Sequence, residues 1–376
     1  MRILAFEEEP TLFGGGQERS LYEVLSQLKK RGFQLSLCYA RHGELLAEYF
    51  RICDTIVHLP TRIFSIKRAP HMAADLCRLW LRAIGGSKWD VVYTNQYFDL
   101  PMAATLGQML RVPVICHLRL AAPSYLSRQF RWGLARSACL IANSHYTMAS
   151  YEAQGFPASR FRVIYNGIDT SYFAPQPPLR QTSEPRKRRV VFLGRVTPDK
   201  GMEVLVDAFA QVRRKREDIE LRIVGQARGD GTVPLDYVEQ FREQCRQKGI
   251  IGLEFRPHVA DVRSELGRAD LLVLPSISPE SFGRVLIEAM ASGIPVVASR
   301  VGGIPEVLAP DFEEMLVEPN DSTALASAVM RLLDWRTERP ELGLLCRQYV
   351  VERFGQARMI DELVATFEDV VSSRQH

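Results

Sequence analysis

Residues 278–306 read SPESFGRVLIEAMASGIPVVASRVGGIPE, and their punctuation sets out a loop, a helix, a strand and a second loop. Ser281 has the side chain of an N-cap, whose hydroxyl accepts a hydrogen bond from an otherwise unpaired backbone N–H. Leu286, Ile287, Met290 and Ala291 follow at helical spacing, and Gly293 stands where a left-handed cap ends a helix. Ile294-Pro295-Val296-Val297-Ala298 then reads as a strand buried on both faces. Glu280 and Glu288 stand eight residues apart. The spacing places Glu280 in the loop before the cap and Glu288 one to two turns into the helix, so both border one helix N-terminus. That end exposes the N–H groups of Phe282, Gly283 and Arg284, which suit an anionic or hydroxyl-rich ligand.

Working outward, the same alternation fills the chain. Strands are expected at 2–6, 34–39, 55–59, 90–94, 114–117, 140–143 and 162–165, with helices at 18–30, 72–84, 102–110 and 129–136 between them. A second series begins with the strand 190–193 and continues through 220–225, 253–259 and 271–276, followed by helices over 322–371. Such alternation predicts α/β architecture with parallel sheets covered by helices. A chain of 376 residues suits two domains. We place them at 1–173 and 190–354, both Rossmann-like, joined by the proline-rich, polar stretch 174–189, which ends in the solvated basic run Arg186-Lys187-Arg188-Arg189.

Ligands of open parallel sheets bind outside the carboxyl ends of the strands. In the first half that edge carries Asn95, His117 and Asn143-Ser144, with His117 flanked by Arg119. Gly14, Gly15 and Gly16 follow the first strand, where glycines let backbone approach a ligand at a helix N-terminus. The dinucleotide fingerprint G-x-G-x-x-G is absent there, which argues against an oxidoreductase. In the second half the loop 194–201, GRVTPDKG, puts Arg195 and Lys200 between a strand and a helix. An arginine bridging two oxygens beside a lysine point charge suits a diphosphate.

Bulk properties narrow the setting. No run approaches the ~20 apolar residues that span a bilayer. The apolar start, Met1 to Phe6, meets Glu7-Glu8-Glu9 too soon for a signal-peptide core. Seven cysteines without a C-x2-C pair point to reduced thiols and not to a zinc site, so a cytosolic protein is expected. Residues 1–180 hold 21 Lys+Arg and 13 Asp+Glu, hence +8; the remainder holds 27 and 31, hence −4. A basic first half suggests an anionic partner for that half alone. Two of its segments mix cations with bulky apolar groups, 61–68 (TRIFSIKR) and 127–136, with Phe130, Trp132 and Leu134 among Arg128, Arg131 and Arg136. That composition can lie peripherally on an anionic membrane surface. The four-residue basic run is too short to argue for nucleic acid.

The pair GR-x4-KG and PESFGRVLIEAMASGIPVVAS resembles the signature of retaining glycosyltransferases with the GT-B fold, family 4. The resemblance covers nearly the whole chain, although its specific motifs lie within 190–306. It implies two Rossmann-like domains facing each other across a cleft, the first for the acceptor and the second for a nucleotide-diphosphate sugar. It further implies that Glu280 touches the donor sugar, Glu288 holds the ribose hydroxyls, and Arg195 and Lys200 neutralise the leaving diphosphate. Backbone near Pro257–Val259, Val259 included, borders the base, and the Gly302-Gly303-x-Pro305-Glu306 loop shapes the nucleotide pocket. His117 contacts the sugar, the loop of Gly15 and Gly16 closes over the donor, and the last helix, about 355–376, packs back on the first domain. The implied reaction transfers sugar from a UDP- or GDP-sugar to a lipid-linked or polysaccharide acceptor by front-face attack, without cofactor or metal. A sugar-nucleotide epimerase and a silent sugar-nucleotide-binding component of an assembly complex are the alternatives.

Overall fold

The computed structural model describes residues 1–11, 16–60, 69–86, 88–176, 187–227, 234 and 236–373. The chain divides into two units, one of Met1–Asn166 with Ala357–His376 and one of Gly167–Gln356.

The first unit is built on seven parallel strands: β1 (Arg2–Glu7), β2 (Gln34–Tyr39), β3 (Thr55–His58), β4 (Val91–Thr94), β5 (Val114–Leu118), β6 (Cys139–Ala142) and β7 (Phe161–Val163). Their order is β3-β2-β1-β4-β5-β6-β7. Because successive side chains of a strand point to opposite faces, both faces are apolar. Ile3, Ala5, Val91, Tyr93 and Ile115 face one layer, whereas Leu4, Phe6, Val92 and Cys116 face the other. The C-terminal helix Gln356–Ser372 lies on the first of these layers. Met359, Ile360, Leu363, Thr366 and Phe367 recur at helical spacing and are all buried. Its association with the N-terminal sheet thus follows from a continuous apolar stripe meeting Tyr93 and its neighbours.

The second unit repeats the plan with β8 (Arg188–Leu193), β9 (Ile219–Val224), β10 (Leu253–Arg256), β11 (Leu271–Leu274), β12 (Val296–Ser299) and β13 (Leu316–Val317). The order is β10-β9-β8-β11-β12-β13. Every residue of β11 and β12 is buried, as the apolar runs Leu271–Leu274 and Val296–Ala298 require. In both sheets the order reverses beside the first strand, between β1 and β4 and between β8 and β11. Such a switch point opens a crevice at the carboxyl ends of the strands.

Two expected boundaries move. Residues 167–173 belong with the second unit, because Arg347 donates to the carbonyls of Thr170 and Phe173 and Ile168 bridges to Gly355. The basic run ending the linker is not simply solvated. Arg188 and Arg189 are the first residues of β8, where Arg188 pairs with Asp334 at 2.8 Å and Arg189 with Glu220. Residues 177–186 of the linker lie outside the described residues.

The basic-aromatic segment also reads differently in three dimensions. In the helix Arg128–Arg136, Leu134 is buried, Phe130 packs on the core and Gly133 seats against Leu100. Trp132 lies under the Arg136 guanidinium at 4.5 Å. Phe130 and Leu134 therefore face the core, and Trp132 is half-buried beneath a cation, so little of this helix is left as a free apolar face. The segment 61–68 is outside the described residues. No described helix is long and apolar enough to cross a membrane. All seven cysteines are free thiols.

The docking of the last helix is testable. Phe367 is fully buried, so Phe367→Ala should cost about 3–5 kcal/mol. Urea unfolding followed by circular dichroism should show the midpoint falling; an unchanged midpoint would mean the helix adds nothing to the first unit.

Candidate functional site

The switch point of the second sheet holds the expected cations and one of the expected glutamates. After β8 the chain passes through a 3-10 turn, Pro198–Lys200, and enters the helix Met202–Lys215 at Gly201. Gly201 has φ +71°, and a Cβ there would stand 2.0 Å from the Pro275 carbonyl oxygen. Only glycine allows that approach, and it lays the loop after β8 directly on the loop after β11. Backbone hydrogen bonds complete the seam, with Ile277 and Ser278 N–H donating to the Asp199 carbonyl at 3.0 and 3.2 Å.

This seam brings Lys200 Nζ onto Glu280 Oε1. The Ser276 hydroxyl donates to the same oxygen at 2.5 Å. The two charged side chains are only 15% and 16% exposed, so neither could stay there cheaply without the other. The loop after β12 braces the glutamate from behind. Gly302 has φ +57° and its Cα leaves no room for a Cβ, which would lie 2.1 Å from the Glu280 carbonyl oxygen. Gly303 N–H donates to that oxygen at 2.7 Å. Sequence reasoning assigned this glycine pair to the nucleotide pocket; what the structure shows is a clamp on the backbone of Glu280. Ser276 was missed altogether, although it stands four residues before Glu280.

The helix bearing Glu288 runs Arg284–Ala291 and is capped by Gly283 in a left-handed conformation, with no side-chain cap bond. Ser281 is therefore not the N-cap, and the helix begins later than its sequence signal. Phe282 explains the shift: its ring is buried edge-on to Phe354 at 5.6 Å, which pulls the chain inward and leaves the turn to Gly283. Phe282 and Gly283 can thus offer a ligand backbone only. Gly293, left-handed at φ +75°, ends the helix as expected. Glu288 is buried and accepts from Arg284 Nε at 2.9 Å, an i,i+4 pair within the helix. Arg195 is the loosest of the cations, 41% exposed and 3.9 Å from Asp199. Val259 is half-buried at the same sheet edge, beyond β9 and after β10, and Gly16 opens the helix Gly16–Lys30. Gly15 lies outside the described residues.

In the first unit the carboxyl edge gathers a buried polar group around Arg119, a residue sequence reasoning named only as a neighbour of His117. Arg119 Nε donates to Asn95 Oδ1 at 3.1 Å and its Nη1 to Asn166 Oδ1 at 2.6 Å. Asn143 Nδ2 donates to the Arg119 carbonyl at 3.0 Å. Ser144 has a different task, capping the helix His145–Glu152 by accepting from Thr147 N–H at 3.0 Å. His117 is fully buried and hydrogen-bonded through Nδ1 to the Tyr93 hydroxyl at 2.8 Å. Burial, and secondarily the Arg119 cation, hold its pKa well below the ordinary histidine value, so the ring is neutral.

That neutrality has a sign. Above the unfolded value of about 6.5 neither state carries the proton, and below it only the unfolded chain gains one. Stability should therefore fall with pH from about pH 6.5 downward, at up to about 1.4 kcal/mol per pH unit, until the folded ring itself titrates. Between about pH 7.5 and about pH 5.5 the wild-type chain should lose about 1 kcal/mol more unfolding free energy than His117→Asn. Equal losses in paired urea titrations would show that His117 titrates normally.

Comparison with known proteins finds similarity along most of the chain. Residues 187–334 match the family described as Glycosyl transferases group 1, and residues 14–172 match Glycosyltransferase Family 4. The chain is 31% identical to D-inositol 3-phosphate glycosyltransferase of Corynebacterium glutamicum, over 99% of its own length and 96% of that protein. A GDP-mannose-dependent alpha-(1-6)-phosphatidylinositol monomannoside mannosyltransferase of Mycobacterium tuberculosis is 28% identical over 56% of each chain. Matches to several other curated relatives likewise span about half of their length. Among solved structures, Anabaena HepE in complex with UDP and glucose superposes with a TM-score of 0.81 at 22% identity, covering 98% of this chain and 100% of that one.

Proposed function

The chain belongs to the glycosyltransferases of group 1, family 4, and from that premise we propose that it moves a sugar from a UDP- or GDP-sugar to a hydroxyl of a glycan or lipid-linked acceptor, with retention and without a metal. The observation that carries the donor half of this reading is the meeting of Lys200 and Glu280 at the β8/β11 switch point, beside the opening turn of the helix Arg284–Ala291. A diphosphate there would face Arg195, Lys200 and the N–H groups of Arg284 and Val285, which favour negative charge. Glu280 would accept from sugar hydroxyls and Glu288 from the ribose. In the first unit, His117 would hydrogen-bond the sugar. The choice of base is supported only by relatives: the mycobacterial enzyme is GDP-mannose-dependent and HepE binds UDP with glucose. The basic balance of residues 1–180 supports an anionic, lipid-linked acceptor.

In the reaction proposed, the acceptor oxygen bonds to the anomeric carbon on the face from which the diphosphate departs. The bond from that carbon to the phosphate oxygen breaks, and the leaving oxygen takes the acceptor proton. The enzyme supplies charge stabilisation to the departing diphosphate and no nucleophile.

Two measurements test the proposal. UDP-, GDP- and ADP-sugars at about 100 times their Kd should each stabilise a protein that binds them by about 2.7 kcal/mol, and one base class is expected to do so here. Arg195→Ala, whose side chain is exposed enough to remove without disturbing the core, should weaken that shift and cut turnover about 10²–10³-fold. No shift with any nucleotide sugar would overturn the donor site. Binding without release of nucleoside diphosphate in the presence of acceptor would instead favour a silent binding component.

A further inference from the structure

Tyr93 and His117 stand on adjacent parallel strands, β4 and β5, with Tyr93 in register with Ile115 and both side chains on the face covered by the C-terminal helix. The tyrosine hydroxyl and His117 Nδ1 are 2.8 Å apart, and both residues are fully buried. Phe367 of the C-terminal helix stands edge-on to the Tyr93 ring at 5.4 Å, so the tyrosine cannot swing out of this contact. His117 Nε2 is also buried and meets no hydrogen-bond partner among the described residues.

A phenol and a neutral imidazole can share a proton position in two ways, and their chemistry chooses one. The phenol O–H is the stronger acid, with an ordinary pKa of about 10, and a neutral imidazole N–H is far less acidic. The bare imidazole nitrogen is a base of conjugate pKa about 6.5, whereas a phenol oxygen is scarcely basic. Arg119 acts in the same direction, since its cation opposes the rise that burial imposes on the tyrosine. The hydroxyl therefore donates to Nδ1, and the ring proton is left on Nε2.

We propose that Tyr93 is a positioning residue that holds His117 in its Nε2–H form, so that the histidine offers its ligand a hydrogen-bond donor and cannot accept. A buried N–H without an acceptor costs free energy that a ligand oxygen restores. Resting on the proposed contact between His117 and the donor sugar, this defines the recognition: the sugar atom at Nε2 is an oxygen acting as acceptor, and a deoxy sugar at that position is rejected.

The tautomer is read directly from the ring nitrogens of protein labelled with 15N-histidine, without ligand, the His117 signals being those lost in His117→Ala. Between about pH 8 and about pH 6 the wild type should show a neutral ring protonated at Nε2 alone. Tyr93→Phe should move both nitrogens toward a mixture of tautomers. A wild-type ring protonated at Nδ1, or a tautomer unchanged by Tyr93→Phe, overturns the proposal; the first of these readings needs only the assigning variant His117→Ala and does not depend on Tyr93→Phe folding. In kinetics, Tyr93→Phe should lower kcat/KM for the nucleotide sugar about tenfold in the wild type but less than about twofold in the His117→Ala background. Equal losses in both backgrounds would mean that Tyr93 acts through the fold and not through His117. Should no nucleotide sugar turn over at all, the proposed function fails while the spectra still decide the tautomer.

Discussion

A carboxylate and an ammonium group each about 15% exposed must meet, because an unpaired charge in that position costs several kcal/mol. The Lys200–Glu280 pair is thus a constraint on the whole second unit. It requires the loop after β8 and the loop after β11 to share one surface, which the strand order alone makes possible. It requires Gly201, since any Cβ would push the loops apart, and Gly302, which lets the loop after β12 close on the glutamate backbone. Three loops from three neighbouring strands are therefore fixed by one ion pair and two close approaches. Ser276 then satisfies the pair from beneath.

Among its described residues the first unit buries a single cation, Arg119, and surrounds it with neutral groups. Its carboxyl edge buries a guanidinium among the side-chain amides of Asn95 and Asn166 and a neutral imidazole against a phenol. Amides and phenols can be buried at modest cost once hydrogen-bonded, and they retain no charge to attract phosphate. Neutral hydrogen-bonding groups of this kind suit ligand hydroxyls, whereas the charges at the switch point of the second unit suit an anion.

Much of this was legible because it rests on local rules. Apolar runs and glycine punctuation place most strands within a residue or two, and the order of β and α segments implies parallel sheets. The segment 253–259, however, is a strand only to Arg256, and the two-residue β13 had no signal. Gly293 ends its helix where its lack of a Cβ predicts. The failures are tertiary. Ser281 has the better capping side chain, yet burial of Phe282 against Phe354 is worth more than a cap and moves the helix start to Gly283. Arg188 and Arg189 look like a solvated run until Asp334 and Glu220, far along the chain, arrive beside them. Composition alone leaves open what Phe130 and Leu134 cover, and the core beneath them supplies the answer. Ser276, Tyr93 and Arg119 carry no motif, and only distance reveals their partners.

The pairing of the site residues with one another bears on how a donor would bind. Lys200 is already neutralised by Glu280 and Arg284 by Glu288, so a diphosphate arriving at either cation must exchange partners. Its gain there is a difference between two ion pairs, smaller than the attraction to a bare cation. Arg195, exposed and 3.9 Å from Asp199, gives up much less. Initial attraction under the proposed function therefore rests on Arg195 and the helix N-terminus. An exchange at Lys200 would have a second effect, since it would release Glu280 Oε1 from the ammonium as a sugar arrives, leaving the Ser276 hydroxyl as its remaining partner. Under the proposed function, binding of the diphosphate and capture of the sugar would then be coupled through Lys200, whose contact holds one oxygen of the Glu280 carboxylate in the structure.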